Sequence, residues 1–218
     1  MKKNIVLFTL FILPIVAYLF FASGVNSFIT LPTVTPTIPN VDKQWKTLNG
    51  ETVSLDNKIS ILGFAGSEIL YNKGNFFTLN QKIYNRNREF KDFQFVFVAP
   101  EGTQDQAKHL LKQLSGITDV SGYHFVFAQP QEIKTYFDSL KLLGKLDAKM
   151  GTPNVFIIDK KRNLRGRKGK SVQGKAEYKE GYNTTSASEL HNEMTDDVKI
   201  ILAEYRLALK RNNAKRQI

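Results

Sequence analysis

The sequence holds no cysteine among its 218 residues. That absence excludes disulfides, thiol redox chemistry, thiolate metal sites and lipid attachment through cysteine. Other soft-metal ligands are scarce too: the chain offers Met1, Met150 and Met194, and His109, His124 and His191. Cu(I) requires thiolate or thioether sulfur, and Cu(II) or zinc favours imidazole. His109 falls in a helical stretch, His124 opens a strand and His191 starts the last helix, so no two share metal-ligand spacing. No metal and no cofactor is expected.

Acidic residues are also short, with 20 Asp plus Glu against 31 Lys plus Arg, a net charge of +11. Such an excess raises nucleic acid, anionic lipid and acidic protein surfaces as partners. No stacking motif or recognition helix accompanies it, so nucleic acid is not the expected partner. No G-x-S-x-G elbow and no internal repeat occurs either. The excess is local: from Lys160 to Glu180 nine basic residues face only Glu177 and Glu180. Lys160, Lys161, Arg162, Arg165, Arg167 and Lys168 head that stretch and are the candidate surface for an anion or an acidic partner.

Charge is missing altogether from Ile5 to Ala22, 18 residues preceded by Lys2 and Lys3. At about 1.5 Å per helical residue such a run covers roughly 27 Å, near the hydrocarbon thickness of a bilayer. The flanking lysines orient it with its N-terminus in the cytoplasm, which exports the rest of the chain. A cleaved signal peptide is the alternative, although its apolar core is typically about 7 to 15 residues, shorter than this one. Residues 1–24 thus read as a single-pass anchor in the inner (cytoplasmic) membrane, with the remainder on the extracytoplasmic, periplasmic side. Residues 25–44 read as a stem, because Leu31 to Asn40 has three prolines among threonines and favours extended backbone. Residues 45–210 then form one folded domain, and 211–218 a basic tail.

Within the domain, Asn49-Gly50 signals a hairpin turn between Trp45 to Leu48 and Thr52 to Leu55. Ile59, Ile61, Leu62 and Phe64 make an apolar run too short for a helix, punctuated by Gly63 and Gly66, and read as a buried strand. A helix over Asn75 to Phe90 follows. Further strands are expected at Phe93 to Val98, Tyr123 to Ala128, Asn154 to Ile158 and Leu164 to Arg167. Helices fall between them, one capped by Thr103 and one over Glu132 to Leu143. A last helix starts near Ser186, where Ser186 and Glu189 have capping-box spacing. Strands alternating with helices predict a three-layer α/β sandwich with a central mixed sheet.

Two segments carry a resemblance. GFAGSEILYN, Gly63 to Asn72, and GTPNVFIIDKKRNLRGR, Gly151 to Arg167, together resemble the thioredoxin-like fold, and within it the SCO family of copper chaperones and electron-transport proteins. The resemblance puts the family's two thiols on Ser67 and Tyr71, and its copper-binding histidine near Gly151. All three ligand positions have therefore lost their chemistry. It also matches Pro153 to the cis-proline beside the active site of thioredoxin-like domains, so a cis Thr152-Pro153 bond is expected. These four residues are vestigial site positions. The function implied is a membrane-anchored, non-catalytic binding or assembly module, partnered by another envelope protein in a setting such as respiratory-oxidase assembly. The alternative is an envelope enzyme using Ser67, Glu68 and Tyr71 with backbone N–H groups as an anion or oxyanion site. For Ser67 a plain helix-start serine is the simpler reading.

Overall fold

A computed structural model of the protein describes residues 9–18, 30–170, 174 and 176–216. Three apolar runs form its centre. β2 (Ile59–Ala65), β3 (Phe93–Pro100) and β4 (Tyr123–Ala128) lie parallel, in register from Ile59 against Phe93 and from Phe95 against Tyr123. β5 (Gly151–Ile158) runs antiparallel beside β2, and β6 (Leu164–Arg165) antiparallel beside β5. The edge beyond β6 is β1 (Thr33–Thr35), giving the order β1-β6-β5-β2-β3-β4. A separate hairpin joins β7 (Arg167–Lys170) to β8 (Ala176–Lys179), and the short β9 (Tyr182–Asn183) pairs with β5.

Side chains alternate across the sheet with the period of two that a strand imposes. Phe93, Phe95 and Phe97 face one core, with Ile59 and Ile61 of β2. Val96 and Val98, with Leu62 and Phe64, face the other. The first core is covered by α1 (Lys73–Leu79), which continues through a π turn at Asn80–Tyr84, by α2 (Gln104–Ser115), and by α4 (Thr195–Arg216) with the π turn Leu190–Met194 ahead of it. The second is covered by α3 (Pro130–Ser139) and by the irregular stretch that carries Ile38, Val41, Trp45, Val53 and Leu55. The result is a mixed sheet covered on both faces, a three-layer α/β arrangement.

Several expectations need correction. Residues 31–40 are no stem: Thr33–Thr35 is the edge strand β1, and Leu31, Ile38 and Val41 are buried at 4%, 1% and 3% exposure. Prolines are tolerated at a sheet edge, where one side of the strand needs no donors, so a proline-rich composition did not exclude a strand. Asn49-Gly50 makes a turn, with Gly50 at φ +78 and its N–H donating to Thr47, but no strands flank it. The Thr103 hydroxyl donates to the Pro100 carbonyl rather than capping α2. α3 ends at Ser139, short of Leu143. Ser186 does cap the last helix, its hydroxyl accepting from the Glu189 N–H, while the Glu189 carboxylate turns to the Asn183 N–H instead of closing the box.

Residues 9–18 of the apolar run are helical. Among the described residues no helix is long and apolar enough to cross a membrane. The rest of the expected anchor and the first part of the expected stem, residues 1–8 and 19–29, lie outside the described residues.

Candidate functional site

Three of the four expected positions, Ser67, Gly151 and Pro153, lie where β2 ends and β5 begins. Ala65 pairs with Gly151 across the two strands, and a Cβ on Gly66 would stand 3.0 Å from the Gly151 Cα, a tight approach to backbone. Gly66 also has φ +67, a left-handed conformation that glycine adopts without steric cost. The Ser67 N–H donates to the Lys149 carbonyl at 2.9 Å, and the Ser67 carbonyl accepts from Gln106. Ser67 therefore lies on a turn clamped by its backbone. It is not at a helix start, because α1 begins only at Lys73.

Tyr71 does not join this constellation. It is 85% exposed on the turn that precedes α1. Glu68, the candidate base, is engaged in an ion pair with Lys149 at the mouth of the site. Neither arrangement activates the Ser67 hydroxyl, since a nucleophile needs a base within hydrogen-bond reach of its oxygen.

Pro153 lies in β5, and the Thr152-Pro153 bond is trans, against expectation. The backbone here runs extended from Gly151 into the pairing of Asn154 with Asn183, which a trans bond continues in line. The Pro153 carbonyl accepts from both the Thr184 N–H (2.9 Å) and the Thr184 hydroxyl (2.7 Å), which draws that loop over the strand.

Together these elements enclose a cleft of about 160 Å³. Its floor is apolar, from Phe76, Leu79, Phe97 and Val155; its rim is polar, from Glu68, Asn72, Asn75, Lys149, Thr152 and Thr184. Gly63 makes the floor possible, since a Cβ there would meet the Phe97 ring at 2.6 Å. One wall is the turn from Asp147 to Gly151. The Asp147 carboxylate accepts from the Lys149 and Gly151 N–H groups, both at 2.8 Å, and this wrap holds Met150 at φ +61. A non-glycine residue in that region is strained by about 1 to 2 kcal/mol, so the Asp147 bonds fix the wall against a local preference. The resemblance pointed to Gly151 and Pro153, and Glu68 was a candidate group, but Phe76, Leu79, Phe97 and Val155, which floor the cleft, look individually like core residues.

The donor set does not fit copper. Ser67 offers a hydroxyl, Gly151 no side chain, and Met150 a single thioether packed against the second core. Among the described residues no three of His, Asp or Glu gather as a metal cluster. His109 is exposed beside Gln113, and His191 is exposed on the π turn. His124 is half-buried at the start of β4, where burial holds its pKa below the ordinary 6.5.

The basic stretch is mostly spoken for. Arg165, 8% exposed, donates to the Leu31 carbonyl, to Asp159 at 2.9 Å and to Glu204 at 3.1 Å. It thereby joins β1, β6 and α4. Arg167 grips buried Asp197 with two bonds of 2.8 and 2.7 Å, and Tyr182 donates to the same carboxylate. Those bonds push the Arg167 pKa above its ordinary value. Lys160 pairs with Asp92, Arg162 with Asp56, and Lys179 with Glu189 and Glu193. Of the six expected surface residues, Lys161 and Lys168 are the exposed ones, and Lys168 lies over the Tyr178 ring.

No family model matches the sequence, and no curated protein does. Solved structures do resemble the fold. BsSco, described as a member of the Sco family of cytochrome c oxidase assembly proteins, aligns with a TM-score of 0.56 at 12% identity, over 79% of this chain and 98% of its own. A Bacteroides thetaiotaomicron protein assigned to the protein disulfide isomerases aligns with a TM-score of 0.52 at 13% identity, over 80% and 95%. The chain thus has a thioredoxin-like fold, similar to that of an SCO protein, and carries no cysteine in it.

Proposed function

We propose that the protein is a binding or assembly module, held at the inner membrane by its N-terminal apolar run with its domain on the extracytoplasmic side, and that it works without thiol or copper chemistry. The observation that carries this reading is the cleft. The turn at Ser67 and the start of β5 at Gly151 meet, as they would to hold reactive groups, yet the cleft beside them has an apolar floor, a polar rim and no sulfur in its lining, the Met150 thioether being packed against the second core. Clefts of that make-up bind by shape, with a few polar groups fixing orientation. The likeness to an SCO structure makes oxidase assembly in the envelope a reasonable setting, with another envelope protein as the partner.

The test is capture of partners by proximity labelling from the native envelope, using the wild type and Asn75→Trp. Asn75 is half-buried on the cleft rim outside the core, so the indole fills the cleft while circular dichroism stays unchanged. The expected result is loss of a specific labelled protein. Stoichiometric Cu(I) binding would overturn the copper-free reading, and a turnover lost in Ser67→Ala would overturn the non-catalytic one and favour an enzyme built on Ser67.

A further inference from the structure

The end of the sheet opposite the cleft is where β2 and β3 begin, at Ile59 and Phe93. Asp92 there is shared between Lys58 and Lys160, and Asp56 is taken by Arg162. Once these acids are used, Lys91, Lys161 and Arg206 remain, all exposed and without an ion-pair partner among the described residues. Their chain neighbours meet at this end: the Lys160 ammonium, next to Lys161, stands over the Tyr205 ring, and the Arg206 guanidinium lies over the ring of Phe90, next to Lys91, at 4.6 Å. α4 then runs on to Arg216, about 15 Å past Arg206 at 1.5 Å per residue. Residues 207–218 add Lys210, Arg211, Lys215 and Arg216 and no acid.

The N-terminal leader joins the domain at this same helix. The Leu31 N–H donates to Glu204 at 3.1 Å, two residues before Arg206. Leu31, near the start of the described domain, is therefore held against α4. Residues 19–29 can span at most about 40 Å, so whatever surface holds the run lies within reach of the helix end.

We propose that Lys91, Lys161 and Arg206 form a docking surface for the anionic headgroups of a bilayer, which turns the cleft away from the membrane. This rests on the membrane-anchored reading but not on what the cleft binds. Lipid fits better than nucleic acid because the rings described at this surface are covered: Phe90 lies under Arg206, and Tyr205 under Lys160. Each basic side chain near such a surface strengthens the attraction several-fold, and salt weakens it.

The experiment uses the full chain in nanodiscs of phosphatidylcholine alone and of phosphatidylcholine with phosphatidylglycerol, read by hydrogen exchange. Protection of residues 158–162 and 204–216 is expected only in the anionic discs, at low salt, and is expected to fall roughly tenfold or more in K91Q/K161Q/R206Q. Equal exchange in the two compositions, or protection centred on the cleft rim, overturns the proposal. Failure of the chain to enter either disc defeats the anchored reading instead. The same variants are then scored by co-sedimentation with phosphatidylglycerol vesicles, where indifference to the three substitutions overturns the surface. Tighter binding to duplex DNA than to these vesicles at physiological salt also overturns it.

Discussion

Single residues decide this protein's electrostatics more than its net charge does. Asp197 is fully buried yet stays satisfied because Arg167 and Tyr182 both donate to it. Asp197→Ala leaves a half-buried guanidinium and a buried phenol without their acceptor, and breaking a buried pair in this way costs about 3 to 5 kcal/mol. Urea unfolding should show a drop of that size, against little change for Lys168→Ala on the exposed face. His124 gives a residue-scale pH dependence. Its pKa is lowered by burial and by Lys58, partly offset by Glu51, so the folded chain favours the neutral ring. The stability this contributes is present above pH 6.5 and is lost as pH falls toward the lowered value. A His124→Gln variant should show a flatter stability profile below pH 6.5 in denaturant titrations.

At the scale of elements, β1 is the piece that composition misdescribed. Polyproline-like sequence and an edge strand share an extended backbone, so the choice between them turns on whether a partner strand is present, and β6 is 130 residues away. Ile38, which would be solvated in a stem, is 1% exposed beneath the second core. Ile38→Ala should therefore cost about 2 to 5 kcal/mol in equilibrium unfolding, where a true stem would lose nothing. Arg165 supplies the other attachment, through the Leu31 carbonyl. Arg165→Ala should speed amide exchange in Thr33–Thr35 and at Leu31 before it affects β3 or β4. By contrast β4 was readable to the residue, since Tyr123 to Ala128 is apolar but for His124 and bounded by turn residues. Helix existence was legible from the 3.6-residue period, but the two π turns were not: one added residue shifts the apolar stripe too little to be seen.

For the whole molecule, burial of tyrosine predicts the alkaline limit. Tyr84, Tyr123, Tyr136, Tyr182 and Tyr205 all have pKa values raised from 10, chiefly by burial, with Tyr205 pushed up to about 12. A raised value means that the folded state holds protons that the unfolded chain releases. The stability is fully present below pH 10 and is lost as pH climbs through 10 toward 12 and beyond. Thermal melts across that window should fall steadily, and tyrosinate absorbance should lag behind that of a tyrosine model compound until unfolding.

The absence of sulfur chemistry, the layered α/β plan and most strands followed from the chain alone, because composition is absolute and hydrophobic periodicity is a local property. The cleft beside Gly66 and Gly151, the trans bond at Pro153, the edge strand β1 and the neutralised arginines were decided by tertiary structure. Each depends on which distant residue stands opposite, and 134 positions separate Arg165 from the Leu31 carbonyl it holds. Residue spacing along one segment carries no information about such a meeting, whereas the folded sheet fixes it to within a hydrogen bond.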